Sequence, residues 1–150
     1  MPRFLTALPV FNEAAHVTDV LDHVLRFTPD VLVVDDGSTE LLEERVAERA
    51  DIRLVRHPEN RGYGAALATA FRETLTGDWD GLVTIDCDGQ HQPQLIPQFV
   101  TAATAAGERA IVSGSRYLKQ FPGDSEPPAT RRRINAEITA EINRRLGLAL

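Results

Sequence analysis

Disulfide bonding, membrane spanning and nucleic-acid binding are each disfavoured by something this sequence has little of. Cysteine occurs once, as Cys87, so no internal disulfide can form, and without a Cys/His cluster around it a structural zinc site is not expected. A reducing compartment is the expectation. No apolar run approaches the ~20 residues that cross a bilayer, and Met1-Pro2-Arg3-Phe4 leads into a strand-like segment without the apolar region of a signal peptide. A cytoplasmic protein is therefore expected. Lysine is also scarce: Lys119 stands alone among arginines, and the net charge of −6 excludes a general nucleic-acid binder, which needs basic surface to neutralise phosphates. The arginines gather between Arg131 and Arg145, a locally basic end to an acidic chain.

What remains is ordinary for a folded protein: 150 residues, 43% hydrophobic and 25% charged, enough for one domain over 1–150 with a real core. Short runs rich in β-branched residues at Phe4–Val10, Val31–Val34, Ile52–Val55, Leu82–Ile85 and Ala110–Val112 predict five buried parallel strands. Between them, helical periodicity predicts helices over Glu13–Arg26, Leu41–Arg49, Ala65–Leu75 and Gln94–Ala106. This alternation predicts an α/β fold, a mostly parallel sheet with helices on both faces and ligands at the carboxyl ends of the strands. A Pro- and Gly-containing stretch, 121–128, precedes a last helix over Ala129–Leu146, whose Ile134, Ile138 and Ile142 are spaced to pack on the sheet. The chain stops soon afterwards, and truncation at the C-terminus is expected.

A polar or glycine-bearing cluster follows each of the first four strands: Pro9-Val10-Phe11-Asn12-Glu13, Asp35-Asp36-Gly37-Ser38, Asn60-Arg61-Gly62-Tyr63-Gly64 and Asp86-Cys87-Asp88-Gly89-Gln90-His91. Any one is explained by turn chemistry, but four should converge on one edge of the sheet. Asp86 and Asp88, two residues apart at a strand end, should point to the same side and repel. A hard divalent cation such as Mg2+ or Mn2+ removes that repulsion and can accept diphosphate oxygens as further ligands, with Gln90 as a neutral third protein oxygen. The bland alternative is an Asp-rich turn capping the next helix. Asp36 is placed to accept from a base N–H. Asn12, Ser38 and Thr39 read as helix caps, and Glu13 as an acid at a helix start. Gly62-Tyr63-Gly64 is not a dinucleotide fingerprint, because the third glycine position is Leu67, and no P-loop sequence is present.

In order, Leu8–Glu13, Val33–Thr39, Asn60–Ala66 and Asp86–His91 resemble the successive motifs of family 2 glycosyltransferases. The Asp-x-Asp-x-Gln-His form and Val112-Ser113-Gly114-Ser115-Arg116-Tyr117 resemble the dolichyl/polyprenyl-phosphate mannosyl- or glucosyltransferase branch. The resemblance implies a GT-A fold and inverting transfer of a hexose from a GDP- or UDP-sugar, in this branch to a lipid phosphate. It puts Pro9, Phe11, Glu13, Val34 and Asp36 at the base and ribose, and Asp86, Cys87, Asp88 and Gln90 at the diphosphate and metal. Arg116 falls on a donor or acceptor phosphate, and with Asp88 forms the implied catalytic pair. Phe11 departs from the usual Tyr, which removes a hydroxyl and keeps a ring. The Asp-containing segment and acceptor-binding parts that normally follow are absent here. Association with the cytoplasmic face of a membrane would fit Arg131–Arg133, whose guanidinium groups can bind an acceptor phosphate or anionic headgroups.

Two other readings use the same residues. A non-catalytic nucleotide-sugar-binding module would keep the donor motifs without turnover. A receiver-like signalling module would use Asp35-Asp36, but it needs a phosphorylatable Asp after the third strand, where this chain has Arg56-His57.

Overall fold

A computed structural model describes residues 2–46, 49, 52–88, 91–107, 110–114 and 129–147, with only the backbone of 43, 44 and 131. Two compact units divide the chain at Val112–Ser113. In the first, strands β1 (Phe4–Val10), β2 (Val31–Asp35), β3 (Ile52–Arg56) and β4 (Gly81–Thr84) form one parallel sheet in the order β3-β2-β1-β4. The helices are α1 (Val17–Val24), α2 (Glu43–Val46), α3 (Tyr63–Thr76) and α4 (Ile96–Ala106), the last preceded by a 3-10 turn at Pro93–Leu95.

Alternation along the strands explains the two cores. Leu8, Val10, Val31 and Val33 face Val17, Leu21 and Val24 of α1, with Leu42, Val46 and Ile96, whereas Leu5, Ala7, Leu32 and Val34 face Ala66 and Ala70 of α3. Every residue of β2 is buried, as a strand covered on both faces requires, while edge strand β3 exposes Arg53.

A proline inside central strand β1 needs an account, because it cannot donate to a ladder. The carbonyl of Ala7 accepts from the N–H of Ile85 on the β4 side, and that of Val10 accepts from Asp36 on the β2 side. Pro9, two residues from Ala7, therefore turns its nitrogen toward β4, where the next bond would need an N–H. The β1–β4 register ends at Ala7↔Thr84, so the proline stands where the ladder stops, and residues 86–88 leave the sheet.

Two sequence expectations are corrected. Ala110–Val112 is not a fifth strand; Ile111 is 98% exposed, and an apolar run without a pairing neighbour stays irregular. Helix α1 begins at Val17 rather than at Glu13, whose carbonyl instead accepts from His16 and Val17 in a preceding turn. In the second unit, α5 covers the expected Ala129–Leu146. Its basic end is partly neutralised, since Glu141 accepts from both Arg144 and Arg145.

Candidate functional site

The strand ends are joined into a ring. After β1, Asn12 adopts a left-handed backbone (φ 57°), which Asn tolerates better than most residues. Its N–H donates to Ser38 Oγ at 2.9 Å, and its Oδ1 accepts from the N–H and hydroxyl of Thr39 at 2.9 and 3.1 Å. Asn12, Ser38 and Thr39 thus stitch the first two clusters together instead of capping helices, which corrects the cap reading.

The two acids after β2 are held from different sides. Asp35, fully buried, accepts from the Ser38 N–H and pairs with Arg56 at 2.9 Å, while Arg56 also donates to the Ser38 carbonyl. Asp36 Oδ1 accepts from His57 Nδ1 at 2.6 Å and from the N–H of Arg61 at 3.0 Å; Oδ2 accepts from the N–H of Gly62 at 2.7 Å. Burial pushes this carboxyl up, but the bonds from His57, Arg61 and Gly62 outweigh it and hold it below its ordinary value. Since ionised Asp36 only accepts, His57 carries a proton on Nδ1, and its Nε2 meets Thr69 Oγ1 of α3 at 2.8 Å. Gly37, immediately after these acids, has φ +72°, and a Cβ there would lie 2.3 Å from the backbone carbon of Glu59, so the second and third clusters pack backbone to backbone.

Gly62 (φ +90°) turns the chain into α3, whose first residue, Tyr63, donates its phenol to Asp86 Oδ1 at 3.0 Å. Burial, the hydrogen bond to Asp86 and that carboxylate's charge push the phenol up to about 12. Beyond β4, burial alternates as a strand end would: Ile85 and Cys87 point inward, Asp86 and Asp88 outward. The N–H of Asp86 donates to His91 Nδ1 at 2.7 Å, and His91 Nε2 lies 3.8 Å from Asp86 Oδ2. The Cys87 thiol is pushed up to about 12 by burial, then by the charges of Glu13, Asp88 and Asp86, and the Ile85 N–H on the Ala7 carbonyl ties the end of β4 to β1. The convergence expected from the sequence is thus realised.

For the sequence-derived site residues, the structure places Phe11 at the surface (43% exposed), Glu13 half-buried, and Pro9 within the sheet. Val34 is wholly buried under α3 and Cys87 is 3% exposed in the opposite core, so neither side chain offers ligand-facing surface. Asp86 and Asp88 supply oxygen donors suited to a hard cation. Among the described residues no three His, Cys, Asp or Glu side chains gather to hold one alone. Gln90 and Arg116 lie outside the described residues. A pocket of about 220 Å³ between α1 and the 91–94 turn shares Asp86 with the ring but is smaller than usual ligand sites, so the ring marks the chemistry better. No role for Arg56, His57, Tyr63 or Thr69 was read from the sequence, because each acts through a partner remote in sequence, and His91 was read only as part of its motif although it bonds to Asp86 five residues away.

Comparison with known proteins agrees with this geometry. Residues 6–149 match the family described as Glycosyl transferase family 2. Undecaprenyl-phosphate mannosyltransferase of Micrococcus luteus is 34% identical over 122 residues, covering 77% of this chain and 49% of that protein. Polyprenol monophosphomannose synthase of Mycolicibacterium smegmatis is 32% identical over 123 residues, covering 77% and 46%. Both belong to the branch that the motifs resemble. The structure of glucosyl-3-phosphoglycerate synthase from Mycobacterium tuberculosis with Mn2+, UDP-glucose and phosphoglyceric acid superposes with a TM-score of 0.54 at 27% identity, over 67% of this chain and 39% of that one. The chain spans about half the length of the curated relatives it matches. Its parallel α/β sheet is of the GT-A type, and the chain belongs to glycosyl transferase family 2.

Proposed function

We propose that residues 1–150 form the nucleotide-sugar-binding domain of an inverting hexosyltransferase that uses a GDP- or UDP-sugar and a polyprenyl phosphate acceptor. The observation that carries this reading is the ring itself, in which the ends of β1, β2 and β4 and the start of α3 are hydrogen-bonded around one edge of the sheet. Asp36, 3% exposed, serves the nucleoside side through the turn it holds, because its carboxylate fixes the N–H groups of Arg61 and Gly62. Phe11 offers an exposed ring face in the first cluster, and Glu13 completes the nucleoside side.

Asp86 and Asp88, with Gln90, would hold Mg2+ or Mn2+. When bound, the cation would neutralise the diphosphate against these carboxylates and the charge that develops as it leaves. Asp88 keeps the diphosphate oriented, and Arg116 contacts a phosphate. A phosphate acceptor is already ionised at neutral pH, so it needs less general-base help than a sugar hydroxyl. No described helix is long and apolar enough to cross a membrane. We propose the cytoplasmic face of a membrane as its location, with the Arg131–Arg133 segment as a binder of an acceptor phosphate or of anionic headgroups.

Titrating the protein with GDP- and UDP-mannose and -glucose, in Mn2+ and in chelator, tests the reading. One of the two nucleotides should bind, and more tightly with Mn2+. Equal affinity in chelator removes the cation, and the absence of binding to any of them removes the donor site.

A further inference from the structure

Motif spacing makes Tyr63 no more than the residue between two glycines. Resting on the reading of Asp86 and Asp88 as cation ligands, we propose that Tyr63 is a positioning residue that fixes the Asp86 carboxylate for the cation.

Asp86 lies beyond the end of β4, where no ladder restrains it, and its side chain is 42% exposed. A carboxylate so placed would sample several rotamers, and a cation would have to select one. The phenol of Tyr63 donates to Oδ1 at 3.0 Å from an anchored base: it is the first residue of α3, immediately after Gly62, whose N–H is fixed on Asp36 Oδ2 at 2.7 Å. Asp36 is held in turn by His57, which reaches Thr69 one turn and a half along the same helix. On the other side, His91 Nδ1 accepts from the Asp86 N–H, which leaves the proton of the neutral ring on Nε2, 3.8 Å from Oδ2. The carboxylate is therefore approached at one oxygen by Tyr63 and at the other by His91.

The phenol occupies one acceptor position of Oδ1 and leaves the others to a cation, the arrangement by which a supporting partner orients a metal-ligating carboxylate. A packing role does not explain the contact, since Tyr63 is 55% exposed. The bond also runs from the Asp36 side of the ring to the Asp86 side through residues 62–63.

The test is Tyr63→Phe, with Mn2+ titrated calorimetrically into the purified protein without nucleotide, together with thermal melting. Loss of a supporting partner should weaken Mn2+ binding about 10-fold, the low end for such partners given the exposure of Asp86. The melting temperature should stay within about 2 °C, and nucleotide affinity in chelator should match wild type. Equal Mn2+ affinity in wild type and Tyr63→Phe overturns the inference and leaves the cation site standing. A fall in melting temperature of more than about 5 °C makes Tyr63 a structural residue and also overturns it. If wild type binds no Mn2+, the cation reading fails first and the inference with it.

Discussion

Replacing Asp36 by Asn tests whether this carboxylate holds the 60–62 turn to the sheet. The amide can keep its oxygen where Oδ1 now accepts from His57 and Arg61, but its NH2 then faces the Gly62 N–H that Oδ2 receives at 2.7 Å. One hydrogen bond to a charged group disappears, while the part-buried Gly62 N–H keeps a second acceptor in Asn60 Oδ1 at 3.0 Å. The change should cost about 2 kcal/mol. With an m-value of about 1.5–2 kcal/mol/M, the urea midpoint should fall by about 1 M. The pH dependence has a definite sign. Asp36 is depressed below its ordinary 3.8, so its contribution is complete above that value and is lost as pH falls through the lower folded-state value. The gap between wild type and Asp36→Asn should therefore narrow below about pH 4 and stay constant above about pH 5. Unfolding curves at pH 7 and pH 3.5 check both statements. Coincident curves at pH 7 would show that the three bonds at Asp36 do not hold the turn, and the reasoning would be wrong.

Exposed Asp88 should behave differently: Asp88→Ala should leave the chain folded and weaken donor binding in Mn2+ more than about 10-fold, with little change in chelator, as titration calorimetry would show. Gly37→Ala puts a Cβ 2.3 Å from the Glu59 carbonyl carbon at φ +72°, so it should cost at least about 2 kcal/mol and lower the melting temperature by more than about 8 °C. A shift under about 2 °C would contradict the close approach. Cys87, 3% exposed and pushed up to about 12, should resist a disulfide thiol reagent at pH 8 in the folded protein and react on unfolding in urea. Rapid labelling of the folded chain would refute its burial.

Much of the sheet was legible because buried parallel strands announce themselves as short β-branched runs: β1 matches its expected span, β2 and β3 extend one residue further, and β4 is displaced by one. Ala110–Val112 has a similar composition, yet strand formation needs a partner that composition does not supply. The convergence of the clusters was legible from the topology of alternating strands and helices. Their wiring was not. Asn12, Ser38 and Thr39 are common caps, and only the fold shows that Asn12 meets residues 26 and 27 positions away. His57 gave no signal as a lone histidine after a strand; its partners Asp36 and Thr69 lie 21 and 12 residues off.

Pro9 has a consequence for where the fourth cluster can stand. Were residue 9 any other amino acid, its N–H could continue the ladder toward Ile85 and draw residues 86–88 against β1. The imino acid withholds that bond, so the segment that carries Asp86 and Asp88 parts from β1 at no main-chain cost there. A covalent feature of one strand thus sets where the acids of another can go.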